Sequence, residues 1–132
     1  MLRAVLPHVD AWNAWYTETA NRPEGAQALC QRLDAVCAEV GRDPRVVART
    51  VAVLVRPVMG HRRPDDSPQD GVRPLSGTLE DIAADLLAYA AAGIEHVQLV
   101  LNPISPALIA ALAPVLELLD KAGELERGVR ND

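Results

Sequence analysis

The chain has 132 residues, which is the usual size of one domain and argues against two independent cores. Hydrophobic residues make up 49% of it, but with no Phe and only 3% aromatic residues the core must be aliphatic. The net charge is −5 and the cations are scattered, the nearest to a cluster being His61, Arg62 and Arg63. This pattern argues against a nucleic-acid-binding surface.

No apolar run approaches the roughly 20 residues that span a bilayer, and the N-terminus lacks signal-peptide features, so we expect a cytoplasmic protein without membrane contact. Cys30 and Cys37 lie on one predicted helix, about 10 Å apart along its axis. That separation is too large for a disulfide, so we expect two small core residues. The three histidines show no metal-ligand spacing, and no metal site is predicted.

The first half of the chain predicts a strand, a helix and a second strand. Residues 10–16 hold three of the four aromatics and predict a short strand followed by a loop. Asn21 and Glu24 resemble a capping box, with Pro23 in the first turn, and predict an amphipathic helix that ends at Gly41. Residues 50–55 form an uninterrupted apolar run rich in β-branched residues, which is typical of a strand buried on both faces of a parallel sheet.

The second half begins with a proline-rich segment, residues 57–75, that predicts a long loop. Thr78 and Asp81 predict the capped start of a second helix, and residues 96–101 predict a further strand. Ser105 and Pro106 predict the start of a third helix, and residues 124–132 a frayed polar tail. Strands that alternate with helices in this order predict an α/β fold with parallel strands.

Three segments are more specific than this periodicity, which fits a flavodoxin-like sheet and a barrel equally well. Residues 10–13, DAWN, look like an ADxWN strand, and residues 112–119, LAPVLELL, resemble a last barrel helix. Residues 75–83, LSGTLEDIA, and 89–99, YAAAGIEHVQL, are similar to the signature G[TS]PEEIAExLRxYAxAGVDHVQL. By these motifs the chain resembles the luciferase-like monooxygenase family from about residue 1 to residue 121.

The resemblance implies a (βα)8 TIM barrel that uses FMN or a 5-deazaflavin coenzyme for monooxygenation or hydride transfer. Because a complete barrel needs roughly 250 residues, this chain is expected to supply a partial TIM barrel, about its last three βα units. Residues 1–121 would be the C-terminal part of the barrel domain, and residues 122–132 a polar tail. The family's first five units supply most of the flavin cradle, so we expect a fragment that is inactive alone.

Chemistry in such a barrel lies at the carboxyl ends of the strands, which here carry Trp12, Asn13, Arg56 and Asn102. We predict that these four residues bind the cofactor. For each of the first three there is also a structural interpretation: Trp12 as a core residue, Asn13 as a turn former, and Arg56 in a rim salt bridge instead of a phosphate or carboxylate contact. No catalytic residue is predicted, since no Ser/His/Asp set or paired carboxylates are evident.

Two alternatives to the inactive fragment remain open. In one, the chain is a half-barrel that completes a flavin site with itself or with a separately encoded N-terminal half. In the other, it is a non-catalytic interaction module that buries its exposed strand edges against a partner. The partner expected is therefore a second copy or a missing N-terminal half.

Overall fold

A ten-residue strand in the middle of the chain contacts every other strand of the sheet. The computed structural model describes residues 1–60 and 66–130. In chain order the elements are α1 (Leu2–Val5), a 3-10 turn (Leu6–His8), β1 (Ala11–Ala14), α2 (Pro23–Glu39), a second 3-10 turn (Pro44–Val46), β2 (Ala48–Pro57), β3 (Leu75–Gly77), α3 (Leu79–Ala91), β4 (His96–Leu101) and α4 (Pro106–Arg130).

Within the described residues the sheet has four strands, and β2 pairs in parallel with each of the other three. β1 pairs with the first half of β2, from Ala48 to Val51, whereas β3 pairs only with its carboxyl end. β4 runs beside β2 from Thr50 to Val55. The predicted α/β fold with parallel strands is therefore confirmed, and the sheet is open.

β2 is buried on both of its faces, as its apolar run predicts. Val51, Val53 and Val55 point to one face, where they belong to the main hydrophobic cluster. Ala52 and Leu54 alternate with them and are also buried, but they belong to neither hydrophobic cluster of the described residues. A strand without an exposed face between these positions has no place for polar residues, which explains the uninterrupted apolar run.

The three long helices all cover one face of the sheet. The cluster that contains Val51, Val53 and Val55 includes Cys30 from α2, Tyr89 from α3, and Val115 from α4 among its buried members. We call this side the helix face, and the opposite side of the sheet the open face. Crossovers between parallel strands are right-handed, so helices on one face mean that the chain moves in one direction across the sheet, from β1 to β2 and on to β4.

The helix starts agree only partly with the sequence. The predicted cap of α3 is confirmed, because Thr78 Oγ1 accepts from the Asp81 N–H at 3.1 Å and Asp81 Oδ2 accepts from the Thr78 N–H at 2.9 Å. The predicted cap at Asn21 is wrong. Arg22 is the N-cap of α2 and makes no side-chain capping bond, whereas the Asn21 side chain lies in the core.

Two segments that were expected to be irregular contain regular structure. The predicted loop 57–75 ends in β3, and its residues 61–65, which include His61, Arg62 and Arg63, lie outside the described residues. α4 contains Pro114 and continues to Arg130, so the residues expected to form a frayed tail are helical as far as they are described. None of the helices in residues 1–60 and 66–130 is long and apolar enough to cross a membrane.

Candidate functional site

Two of the four predicted site residues meet at the carboxyl end of the sheet. Arg56 is the second-last residue of β2, and Asn102 directly follows β4. Both donate to the same atom, the side-chain oxygen Oε1 of Gln69, from Arg56 Nη2 at 3.1 Å and from Asn102 Nδ2 at 2.7 Å. The sequence predicted the two donors but not the residue that joins them.

Gln69 extends this contact to two further residues. Its Nε2 donates to the hydroxyl oxygen of Tyr16 at 3.2 Å, and the Tyr16 hydroxyl donates to Asp70 Oδ2. The ring of Tyr16 is buried, with 2% of the residue exposed, so its hydroxyl has a fixed position. We refer to Arg56, Gln69, Asn102, Tyr16 and Asp70 as the carboxyl-end network.

A tight turn places Gln69 in the network. Gln69 and Val72 exchange two backbone hydrogen bonds, at 2.8 and 3.0 Å, around Asp70 and Gly71. Both central residues have positive φ, 51° for Asp70 and 79° for Gly71, which is the arrangement of a type I′ hairpin turn. An Asp-Gly pair is the sequence signal for this type of turn, so the turn could have been predicted from the sequence alone.

The residues at the two ends of the network, Arg56 and Asp70, determine which atom donates and which accepts in each of its hydrogen bonds. A guanidinium can only donate, so the Gln69 atom that faces Arg56 must be the oxygen, and the Asn102 atom that faces the same oxygen must be the nitrogen. An ionised carboxylate can only accept, so the Tyr16 proton points to Asp70 and the Tyr16 oxygen is available to Gln69 Nε2. The amide orientations therefore follow from chemistry.

Trp12 and Asn13 lie apart from this network. Trp12 faces α2 and packs at the edge of a second hydrophobic cluster formed by Leu6, Leu33, Cys37 and Val47. It also borders an open depression of about 480 Å³ beside Arg3 and Arg32. Its indole Nε1 is buried and has no hydrogen-bond partner within residues 1–60 and 66–130.

Asn13 is on the open face, one residue before the end of β1. Its Oδ1 accepts from Thr50 Oγ1 at 2.7 Å, and Thr50 is its register partner on β2. This bond joins the two strands and leaves Asn13 exposed. The structure thus brings Arg56 and Asn102 together and brings neither Trp12 nor Asn13 to them.

The two cysteines are free and buried, as predicted. Burial raises the pKa of the Cys30 thiol, and the nearby Arg49 guanidinium offsets this only in part. Arg49 is engaged in an ion pair with Asp34 at the opposite end of β2 from the carboxyl-end network. Cys30 is therefore a protonated core residue at neutral pH and not a nucleophile.

Comparisons with known proteins add no family assignment. No family model and no curated protein matches the chain. Among the described residues, no group of three or more His, Cys, Asp and Glu side chains is placed to hold a metal ion.

Proposed function

We propose that the chain is the C-terminal portion of a luciferase-like, flavin-dependent (βα)8-barrel oxidoreductase, contributing about the last three βα units and inactive alone. One observation carries this proposal. α2, α3 and α4 all cover the helix face, while Arg56 and Asn102 meet at the carboxyl end of the open face. In a (βα)8 barrel the helices lie only on the outside, and ligands bind at the carboxyl ends of the strands.

The arrangement of strands favours a barrel piece over a doubly wound sheet. A doubly wound sheet reverses its winding direction and places helices on both faces. Here β1, β2 and β4 lie in that order across the sheet, with β3 beside the carboxyl end of β2, and there is one helix layer. The family-like segment of residues 75–99 covers β3, the whole of α3 and most of β4, so the resemblance includes one of the helices that form this layer.

The cofactor proposed is FMN or a 5-deazaflavin coenzyme, by resemblance to the family. Arg56 and Asn102 are its proposed contacts, because both are hydrogen-bond donors and a flavin offers carbonyl and phosphate oxygens. Asn13 faces the same side of the sheet and remains a predicted contact, whereas the Trp12 ring would have to act from the helix face.

The experiment combines light scattering with absorbance on the purified chain, with FMN and, separately, with the deazaflavin. The proposal expects no flavin turnover by the chain alone. It also expects that joining the chain to the first five βα units of a luciferase-like enzyme gives a flavin-binding barrel. In that assembly Arg56→Met should weaken flavin binding about tenfold, as expected for loss of a charged hydrogen bond.

Arg45→Met is the matched control, because Arg45 is an exposed arginine whose partner is Asp43 in its own turn. It should leave flavin affinity unchanged. Turnover by the chain alone would contradict the proposed inactivity, and an assembled barrel without flavin affinity would contradict the family assignment.

A self-assembled half-barrel is a second candidate, favoured by the uncovered edge of β4. Within residues 1–60 and 66–130, β4 pairs only with β2, and 36% of Leu99 is exposed. Beside it lies an apolar groove of about 350 Å³, whose lining includes Leu86, Leu87, Leu99 and Leu116. Unpaired edges and apolar grooves favour association, with a second copy or with a missing N-terminal half. In the same scattering experiment, a discrete oligomer of this chain carrying flavin would support this candidate over the inactive fragment.

A further inference from the structure

The carboxyl-end network has the form of an occupied binding site. Arg56 Nη2 and Asn102 Nδ2 converge on one oxygen, and the Tyr16 oxygen lies within hydrogen-bond distance of the adjoining nitrogen. Two donors beside one acceptor are the complement of an amide edge, in which a carbonyl oxygen stands next to an N–H. The group that fills this complement is the side chain of Gln69.

Two of the three surrounding groups also bond to atoms other than the Gln69 side chain. Tyr16 is buried and bonded to Asp70, and Arg56 Nη1 donates to the Ser67 carbonyl at 2.8 Å. The Asn102 backbone is held at the end of β4, whose last residue pairs with Val55 of β2, while its exposed side chain bonds to Gln69. Removal of the Gln69 carboxamide would therefore leave an amide-shaped space lined by the same three groups.

We infer that the network is a binding site for a ligand with an amide-type edge, a carbonyl oxygen beside an N–H, and that Gln69 occupies it in the free chain. The ligand displaces the Gln69 carboxamide and takes over its three hydrogen bonds. A carboxylate satisfies the two donors but places a second oxygen against the Tyr16 oxygen, which leaves two acceptors facing each other. This inference goes beyond the proposed function, since it requires neither flavin nor a closed barrel.

The test uses Gln69→Ala, which deletes the atoms of one acetamide molecule. NMR spectra of the isotopically labelled chain are recorded during titration with acetamide, sodium acetate or N,N-dimethylacetamide. Acetamide should shift the Asn102 side-chain NH2 signals and the Arg56 guanidinium signals of the variant, with at least tenfold tighter apparent binding than to the unaltered chain. Dimethylacetamide, which lacks the N–H, and acetate should bind at least several-fold more weakly.

Gln69→Glu is the control variant, because it keeps an oxygen for both donors and leaves no space for acetamide. It should not bind acetamide more tightly than the unaltered chain does. If Gln69→Ala is unfolded, recovery of its dispersed spectrum with acetamide, but not with acetate, supports the inference. Failure of acetamide to bind or refold the variant, or equal binding of the three compounds, overturns it.

Discussion

The side chain of Asn21 pairs with the backbone of Leu54 as a neighbouring strand would. Its Oδ1 accepts from the Leu54 N–H at 2.9 Å, and its Nδ2 donates to the Leu54 carbonyl at 3.0 Å. The same Nδ2 donates to the Arg73 carbonyl at 2.9 Å. Leu54 lies between the segment of β2 that pairs with β1 and the segment that pairs with β3, so Asn21 satisfies backbone groups that neither strand covers.

Replacing Asn21 with Ala should destabilise the chain by about 3 kcal/mol, because buried backbone groups of Leu54 and Arg73 would lose their partner. Urea unfolding followed by circular dichroism measures this change. The matched control is Asn13→Ala, which removes an exposed amide with one side-chain bond to Thr50 and should cost less than about 0.5 kcal/mol. Equal losses in the two variants would contradict the role assigned to Asn21.

Gly25 allows the first turn of α2 to approach the chain before it. A Cβ atom at Gly25 would lie 2.0 Å from the backbone oxygen of Thr19, so Gly25→Ala should cost about 2 kcal/mol or more through overpacking. Gly123 is also helical, and a Cβ there would meet nothing within 4 Å. Gly123→Ala should instead stabilise the chain by about 0.5 kcal/mol, through better helix propensity. Thermal unfolding of both variants should show melting temperatures that move in opposite directions.

The cap of α3 predicts a specific loss of stability in acid. The backbone hydrogen bond from Thr78 lowers the pKa of Asp81 below its ordinary value of 3.8. A carboxyl group whose pKa is lower in the folded state stabilises it fully above the unfolded pKa, and this contribution disappears as pH falls through the folded pKa. The stability difference between the unaltered chain and Asp81→Ala should therefore be constant from pH 7 to about 5 and shrink below pH 3.8. A stability difference that stays constant as the pH falls below 3.8 in the same urea series would contradict this role of Asp81.

The buried thiols should react slowly in the folded chain. Because burial raises the pKa of Cys30, little thiolate is present at pH 8, and the side chain is also inaccessible. Reaction of the Cys37→Ser variant with a thiol-specific chromogenic reagent should be about a hundredfold slower in buffer than in denaturant, since it requires local opening. Comparable rates in the two conditions would show that Cys30 is not protected.

The regular elements were predictable because their signals are local. The β-branched run of residues 50–55 identified β2, and the spacing of Thr78 and Asp81 identified the start of α3. Asn21 was misread because its spacing to Glu24 is also that of a capping box, and only the tertiary structure places its side chain against β2. β3 was missed because three residues carry no periodicity.

Two residues of the candidate site could be predicted from local sequence, and two others could not. Arg56 and Asn102 were predicted because the active sites of barrels lie at the carboxyl ends of the strands. Applying this rule requires only the positions at which the strands end. Gln69 and Tyr16 are 53 residues apart and meet through a turn and a strand end, so no spacing rule joins them. The turn itself was predictable from Asp70 and Gly71. The sequence did not indicate that this turn places the Gln69 side chain against the strand ends.

The fixed direction of the carboxyl-end network makes its members interdependent. Since Arg56 only donates and Asp70 only accepts, each group between them has a single allowed orientation. If Arg56 were acidic and Asp70 basic, both amides and the phenol would have to reverse their hydrogen bonds together. Reversing the charge of one end alone would leave two donors or two acceptors face to face. Substitutions here should thus be strongly non-additive, and in descendants of this sequence these positions should change in concert or not at all.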